Sequence, residues 1–279
     1  MRTLLAVILF MGTLMAVVAL DATANPTVSL VETLLRRHLD KSLDAFNHGD
    51  FEGYLHDIAP RVEYNGIEVE RARLLEINHD LRRSFPNLRM RYRSIDVSEM
   101  SDTEANVTTV AEFSGSTSNY DASGLSGTYR EIGQVTAMYR KKGDDWIADT
   151  LQVAWNDSFI DVGQDFGLMG FSNLPVLAAS QQSYWLRFFV GDDSFRGTFT
   201  EYAYALVPLS TVLAKNGAEE VYRALRFAPI PRRGIVTRRA TPSRPGTYAH
   251  VLVVPKVLRQ AGQEVVQANK IYTRLVQVE

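Results

Sequence analysis

The chain has 279 residues, with 30 Lys and Arg against 32 Asp and Glu, and no cysteine. The slightly acidic balance argues against nucleic acid as a partner. The missing thiols exclude disulfide staples, thiolate metal sites and attachment through an N-terminal Cys, so the apolar core alone must hold the fold.

The first element is a processing segment. Arg2 precedes an uncharged apolar run from Leu4 to Leu20, and Ala22-Thr23-Ala24 follows in the small-x-small pattern of a secretory cleavage site. Residues 1–24 are predicted to be a signal peptide, with the mature chain starting at Asn25. The protein is then exported, periplasmic or secreted from a bacterium, with no membrane span after cleavage. An uncleaved anchor is the other reading of the same run.

Thr27 to Asn47 reads as an amphipathic helix, with Leu30, Leu34, Leu35, Leu39, Leu43 and Phe46 recurring at helical spacing. Gly49 fits a helix C-cap and Asp50 an N-cap for a second helix, Phe51 to Ile58, closed by Pro60. Val62 to Tyr64 is a short strand, and Val69 to Phe85 a third helix. The period then changes to two. Leu88 to Val97, Val107 to Ser114, Thr128 to Lys141 and Trp146 to Trp155 are predicted strands. A polar stretch, Gly115 to Gly127, forms a long hairpin loop between the second and third of these. Three helices followed by four antiparallel strands make an α+β layer fold.

The phrases FNHGDFEGYLHDIAPRVEY, RRSFPNLRMRYRSIDV and YRKKGDDWIADTLQVAW occur in that order. Over residues 27–157 the chain resembles the NTF2-like (SnoaL-like) superfamily. The resemblance implies a cone, a curved sheet wrapped round the first long helix with an apolar pocket at its wide end. It implies no activity, since that superfamily contains isomerases, hydrolases and plain binders. It also implies a homodimer through the open face of the sheet.

The remainder reads as β-rich. Residues 158–179 carry Gly163, Gly167 and Gly170 and are predicted to be a linker. Strands are predicted at Ser183 to Val190, Gly197 to Leu206, Ile235 to Arg239, Tyr248 to Val254 and Glu264 to Val278, with a short helix or turn at Ala218 to Leu225. Short strands between polar turns suggest an all-β sandwich-like domain, 180–279, after the NTF2-like domain, 25–157. Residues 25–159 hold 15 basic against 22 acidic side chains, and residues 160–279 hold 14 against 9. Opposite signs suggest two units, docked on each other. Arg223, Arg226, Arg232-Arg233, Arg238-Arg239 and Arg244 form a basic stretch that fits either an anion-recognition patch or a solvated edge.

The resemblance allows a search for proton-handling groups. In the ketosteroid isomerases an Asp base faces a Tyr and a protonated Asp. The corresponding positions here fall on Tyr64, near Ser42 and near Ala137, and none carries the needed residue. Strand parity places Thr109, Phe113, Tyr139, Thr150 and Gln152 inward, with Tyr54 and Tyr64 at the mouth. The predicted ligand pocket is therefore Tyr54, Tyr64, Thr109, Phe113, Tyr139 and Gln152. The predicted function is non-catalytic: an exported protein that binds a small apolar or aromatic ligand, or a peptide, with the β-domain used for contacts. Two readings stay open beside it. One is a SnoaL-like isomerase or hydrolase with a relocated acid or base, Glu63, Glu131 or His79. The other is a structural or adhesion role. No HExxH, His cluster, nucleophile elbow or phosphate-binding glycine pattern appears, so neither a metal nor a cofactor is predicted.

Overall fold

A computed structural model of the chain describes residues 30–120, 125–163, 169–173, 177–190, 201–231, 235–260 and 263–279. The predicted signal segment, Asp192-Asp193, Phe199, Arg232-Arg233 and parts of the predicted linker lie outside the described residues.

Helix α1 (Leu30–His48) buries Leu35, Leu39 and Phe46. Its end follows from Gly49, which adopts φ +83°. The Gly49 N–H donates to the Phe46 carbonyl at 3.0 Å and the Asp50 N–H to the Ala45 carbonyl at 2.9 Å, the paired bonds of a Schellman turn. Asp50 then accepts from the Gly53 N–H at 2.9 Å and opens α2 (Phe51–Tyr54). That helix lasts a single turn. Ile58, predicted as helix, instead starts β1 (Ile58–Tyr64) and pairs with Ala148, because Pro60 biases the residue before it to an extended conformation.

Asn65 and Gly66 follow at φ 49° and 77° and turn the chain into β2 (Ile67–Glu70). Val69 and Glu70, predicted as helix, are the far side of this hairpin. The cause is a two-residue Asn-Gly loop, whose left-handed backbone suits tight hairpins. Helix α3 (Arg71–Ser84) comes next. Then β3 (Arg89–Ser101), β4 (Glu104–Thr117), β5 (Gly127–Lys142) and β6 (Asp145–Val162) run antiparallel, with β1 joined parallel to β6.

The second half contains β7 (Met169–Asn173), β8 (Leu177–Ala178), β9 (Tyr184–Val190), β10 (Glu201–Pro208), α4 (Leu209–Leu213), α5 (Gly217–Ala224), β11 (Arg226–Pro229), β12 (Ile235–Ala240), β13 (Gly246–Gln260) and β14 (Gln263–Val278). The main sheet runs in the order β11-β10-β13-β14-β6-β5-β4-β3. Residues 158–162, predicted as the start of a linker, are the end of β6. Apolar alternation persists there, with Ile160 and Val162 buried, and the strand pairs with β14 from Asp157↔Arg274 to Lys270↔Asp161. The two halves therefore share one sheet instead of docking as separate units. At the seam the Lys270 ammonium meets Asp161 at 2.7 Å, and the Ser158 and Thr273 hydroxyls are hydrogen-bonded. Arg73 on α3 adds a further tie, donating to the carbonyls of Leu213 and Ala214 at the end of α4, each at 3.1 Å.

Strand parity divides the second half into two layers. Ala203, Ala205, Ala249, Val251, Ile271 and Leu275 join the main core with Leu209, Val212 and Val221. Tyr202, Leu252, Val254 and Tyr272 on the other face pack against Leu186, Phe188, Val236 and Ala240 of a smaller sheet ordered β12-β9-β7. His250 pins these layers. It is fully buried on β13, with Nε2 at 2.8 Å from the Tyr184 hydroxyl of β9 and Nδ1 at 2.9 Å from the Tyr204 hydroxyl of β10.

Candidate functional site

Where β3 to β6 curve over α1 and α3, the core leaves a hollow of about 150 Å³. Its apolar wall includes Leu39 of α1, Leu55, Leu74 and Ile77 of α3, Met90, Val107, Ala111, Ala137 and Leu151. Small side chains at Ala111 and Ala137 leave space that Leu or Phe would fill. Polar groups are few: the hydroxyls of Ser42, Tyr54, Tyr64, Tyr92, Thr109 and Tyr139, and the amide of Asn78. No lining side chain carries a charge.

Local structure explains how each phenol reaches the hollow. Tyr54 sits on α2, which the Asp50 cap fixes, and its ring meets Phe46 edge-on at 5.0 Å. Tyr92 lies beside a register shift in the β3–β4 ladder, and Tyr139 beside one in the β5–β6 ladder. Bulges of this kind re-aim side chains. Asn47 holds the Met90 backbone from outside, donating to its carbonyl at 3.0 Å and accepting from its N–H at 2.8 Å. Those two bonds anchor the end of α1 to β3, two residues before Tyr92.

Burial raises the pKa of Tyr54, Tyr64, Tyr92 and Tyr139 above the ordinary phenol value. The next contribution is the Glu131 charge for Tyr54 and Tyr64, Asp57 for Tyr139, and the Tyr54 phenol for Tyr92. All four phenols are neutral at physiological pH.

Of the predicted pocket residues, Tyr54, Tyr64, Thr109, Phe113 and Tyr139 are in the wall of the hollow. Gln152 is not: it is exposed on the outer face. The β5–β6 register slips between Met138 and Tyr139, so Ala148 and Leu151 both turn inward and the parity beyond them inverts. The sequence reading missed Leu151, Tyr92 and Asn78. Tyr92 was legible, since it alternates with Met90, whereas Asn78 is a polar side chain on the buried face of α3, where helical spacing favours apolar residues. Ser42, Tyr64 and Ala137, the positions the resemblance marked for proton-handling groups, line the hollow without supplying any.

The three alternative acid–base residues are scattered. Glu63 is exposed on the opposite face of β1 from Tyr64. His79 is exposed on α3, its ring edge-on to Phe51 at 5.1 Å. Glu131 is buried, at 3% exposure, and accepts a short hydrogen bond from the Tyr129 hydroxyl. Of the three candidates it is the buried one. The alternation of β5 carries Tyr129, Glu131 and Gly133 to the concave side. Glu131 stands behind the wall beside Phe113, its partner across the ladder, and is not among the lining residues. Among the described residues no three His, Asp or Glu side chains group as metal ligands, and no helix is long and apolar enough to cross a membrane.

No protein-family model matches the chain, and no curated protein matches it. Solved structures do. A putative scytalone dehydratase of Novosphingobium aromaticivorans DSM 12444 is 17% identical, covering 44% of this chain and 83% of its own, at a TM-score of 0.36. A putative dehydratase from the NTF2-like family of Streptomyces avermitilis is 15% identical, covering 43% and 91%, at 0.34. An NTF-2 like protein of unknown function from Shewanella oneidensis MR-1 is 14% identical, covering 44% and 98%, at 0.30. NTF2-like structures thus match somewhat under half of the chain, the share that the sequence resemblance assigned to one NTF2-like half. Nothing about activity follows at these identities and TM-scores.

Proposed function

We propose that this is an exported protein that holds one small, neutral, ring-sized molecule in the hollow of its first half. The observation that carries the reading is a cavity of about 150 Å³ with an uncharged, mainly apolar wall. A cavity of roughly that volume accepts a benzene-sized guest. The volume suits a single ring and is too small for a peptide, which narrows the ligand classes left open by the sequence. Packed cores rarely leave voids much larger than a water, so the hollow is not an ordinary packing defect.

The test is thermal denaturation of the mature chain with benzene, toluene and cyclohexanone, in the wild type and in Ala137→Leu. A ligand at 100 times its Kd stabilises by about 2.7 kcal/mol. The wild type is expected to gain stability with at least one of these rings and Ala137→Leu to gain none. Equal responses in the two proteins would show that the rings bind elsewhere, and no response in the wild type would end the reading.

One observation favours a second reading, acid–base chemistry. Glu131 is a buried carboxylate whose charge is felt by Tyr54 and Tyr64, both in the wall. Glu131→Gln separates the two. Under the binding reading ring affinity is unchanged; under the catalytic one, exchange of a ketone's α-protons for deuterium, catalysed by the wild type, is lost. Self-association through the outer face of β3 to β6 is likewise a proposal, checked by light scattering in solution.

A further inference from the structure

The second half presents a face that neither the core nor the hollow uses. Strand β9 is the middle strand of the small sheet β12-β9-β7. One side of its ladder with β12 is the buried layer of Leu186, Phe188, Val236 and Ala240. The alternate residues point the other way. There Trp185 stands opposite Arg239, and Arg187 opposite Thr237. One step beyond the ladder the Ser183 and Thr241 hydroxyls are hydrogen-bonded at 2.7 Å. Trp185 is 62% exposed, and Arg187, Thr237, Arg239 and Thr241 are exposed with it.

An indole on a middle strand is ordinarily covered, since few side chains bury as much apolar area. Among the described residues no aromatic ring and no cation lies over this one. Hydrogen-bonding pairs flank it on both sides, and no acidic side chain stands among them. Arg239 has no hydrogen-bond or ion-pair partner among the described residues. Two guanidiniums without a carboxylate call for an anionic occupant. Small ligands bind in concave sites, so an open sheet face suits a polymer that touches several pairs in succession. A protein anchor is normally ringed by contacts that exclude water, whereas this rim is hydroxyls and guanidiniums. A membrane surface needs a broad apolar face. Ile235, at 47% exposure, is separated from Trp185 by the Arg187–Thr237 pair. A pyranose ring fits the pattern: its C–H face is apolar and suits the indole, and its polar groups lie round the rim. In a uronic acid one of those groups is a carboxylate.

We infer that this face binds an acidic polysaccharide, with a uronic acid ring stacked on Trp185, its carboxylate on Arg239, and a neighbouring carboxylate of the same chain on Arg187. The excess of 14 basic over 9 acidic side chains in residues 160–279 attracts such a polyanion from a distance. The site is separate from the hollow and independent of what the hollow holds.

The experiment titrates the full mature chain with polygalacturonate and with alginate in a calorimeter. Dextran serves as the neutral polysaccharide and poly-glutamate as the carboxylate polymer without sugar rings. At least one polyuronate is expected to bind about tenfold tighter than either control. Trp185→Ala should weaken it about tenfold or more, and Arg239→Gln about fivefold. Both changes are on an exposed face, so an unchanged thermal midpoint in each variant checks that the fold is intact. The inference is overturned if neither polyuronate binds, or if poly-glutamate binds as tightly and Trp185→Ala changes nothing. Tighter binding to an oligothymidylate or to phosphatidylglycerol vesicles, lost in Trp185→Ala, would reassign the face to nucleic acid or membrane and overturn it equally.

Discussion

The first and second halves of the main sheet both carry small inward side chains, yet they are covered differently. On the concave side of β4 and β5, Ala111 and Ala137 face open space. On the corresponding side of β10 and β13, Ala205 and Ala249 are buried against Leu209, Val212 and Val221. In the second half two short helices lie directly on the alanines, which allow that close approach. In the first half α1 and α3 stand off across a chamber ringed by tyrosines. Small residues on a sheet therefore do not by themselves predict a pocket; the covering element decides whether the space is filled.

The largest expected effect tests whether the halves are one unit. Phe46 in the first half and Phe188 in the small sheet are both fully buried. Truncation of either to Ala should cost about 3–5 kcal/mol. Because β6 and β14 are hydrogen-bonded neighbours in one sheet, each variant should shift one shared urea transition. Two separate transitions in Phe188→Ala would break the sheet at its seam. Lys270→Met sharpens the same point. It strands Asp161 in a partly buried site and should lower stability by about 1–3 kcal/mol, with the β6–β14 amides losing hydrogen-exchange protection first.

Filling the alanines contrasts the halves directly. Ala249→Leu overpacks a closed layer and should cost about 1–3 kcal/mol, whereas Ala137→Leu grows into vacant space and should cost less than about 1 kcal/mol. Equal losses in chemical denaturation would mean the chamber is no emptier than its counterpart.

Acid should act on the second half through His250. Burial lowers its pKa from the ordinary 6.5 to about 3, aided by the Arg274 charge on β14, and both ring nitrogens are engaged by Tyr184 and Tyr204. The unfolded chain takes up this proton below about pH 6.5 and the folded chain resists it until about pH 3. The contribution is thus complete above pH 6.5 and declines as pH falls toward 3, at up to about 1.4 kcal/mol per pH unit. His250→Gln should flatten that part of the stability profile; an unchanged slope would remove His250 as its source. The smallest effect belongs to Gln152. Gln152→Ala should stay within about 0.5 kcal/mol and leave ring binding untouched, since the residue is exposed.

Much of this was legible from local chemistry. Gly49-Asp50 encoded a Schellman turn followed by a capped helix, and alternation in β4 put Thr109 and Phe113 on the inner face. The Asn65-Gly66 hairpin was equally open to reading, but the apolar periodicity of the following helix masked it. Other features were not local. The slip that inverts Leu151 and Gln152 depends on how β5 pairs with β6. The join at β14 lies more than a hundred residues from Ser158 in sequence, and glycines at 163, 167 and 170 suggested a break where the ladder in fact continues through Val162. The buried state of Glu131 follows the parity of β5, yet a carboxylate on an inner face runs against the usual rule for charged residues.

Crystallography of the protein under pressurised xenon tests the central claim most directly, because xenon enters dry apolar cavities of this size. The account predicts a xenon atom among Leu39, Leu74, Ala137 and Leu151, absent in Ala137→Leu. A collapsed chamber with those side chains in mutual contact, and no xenon between them, would contradict it.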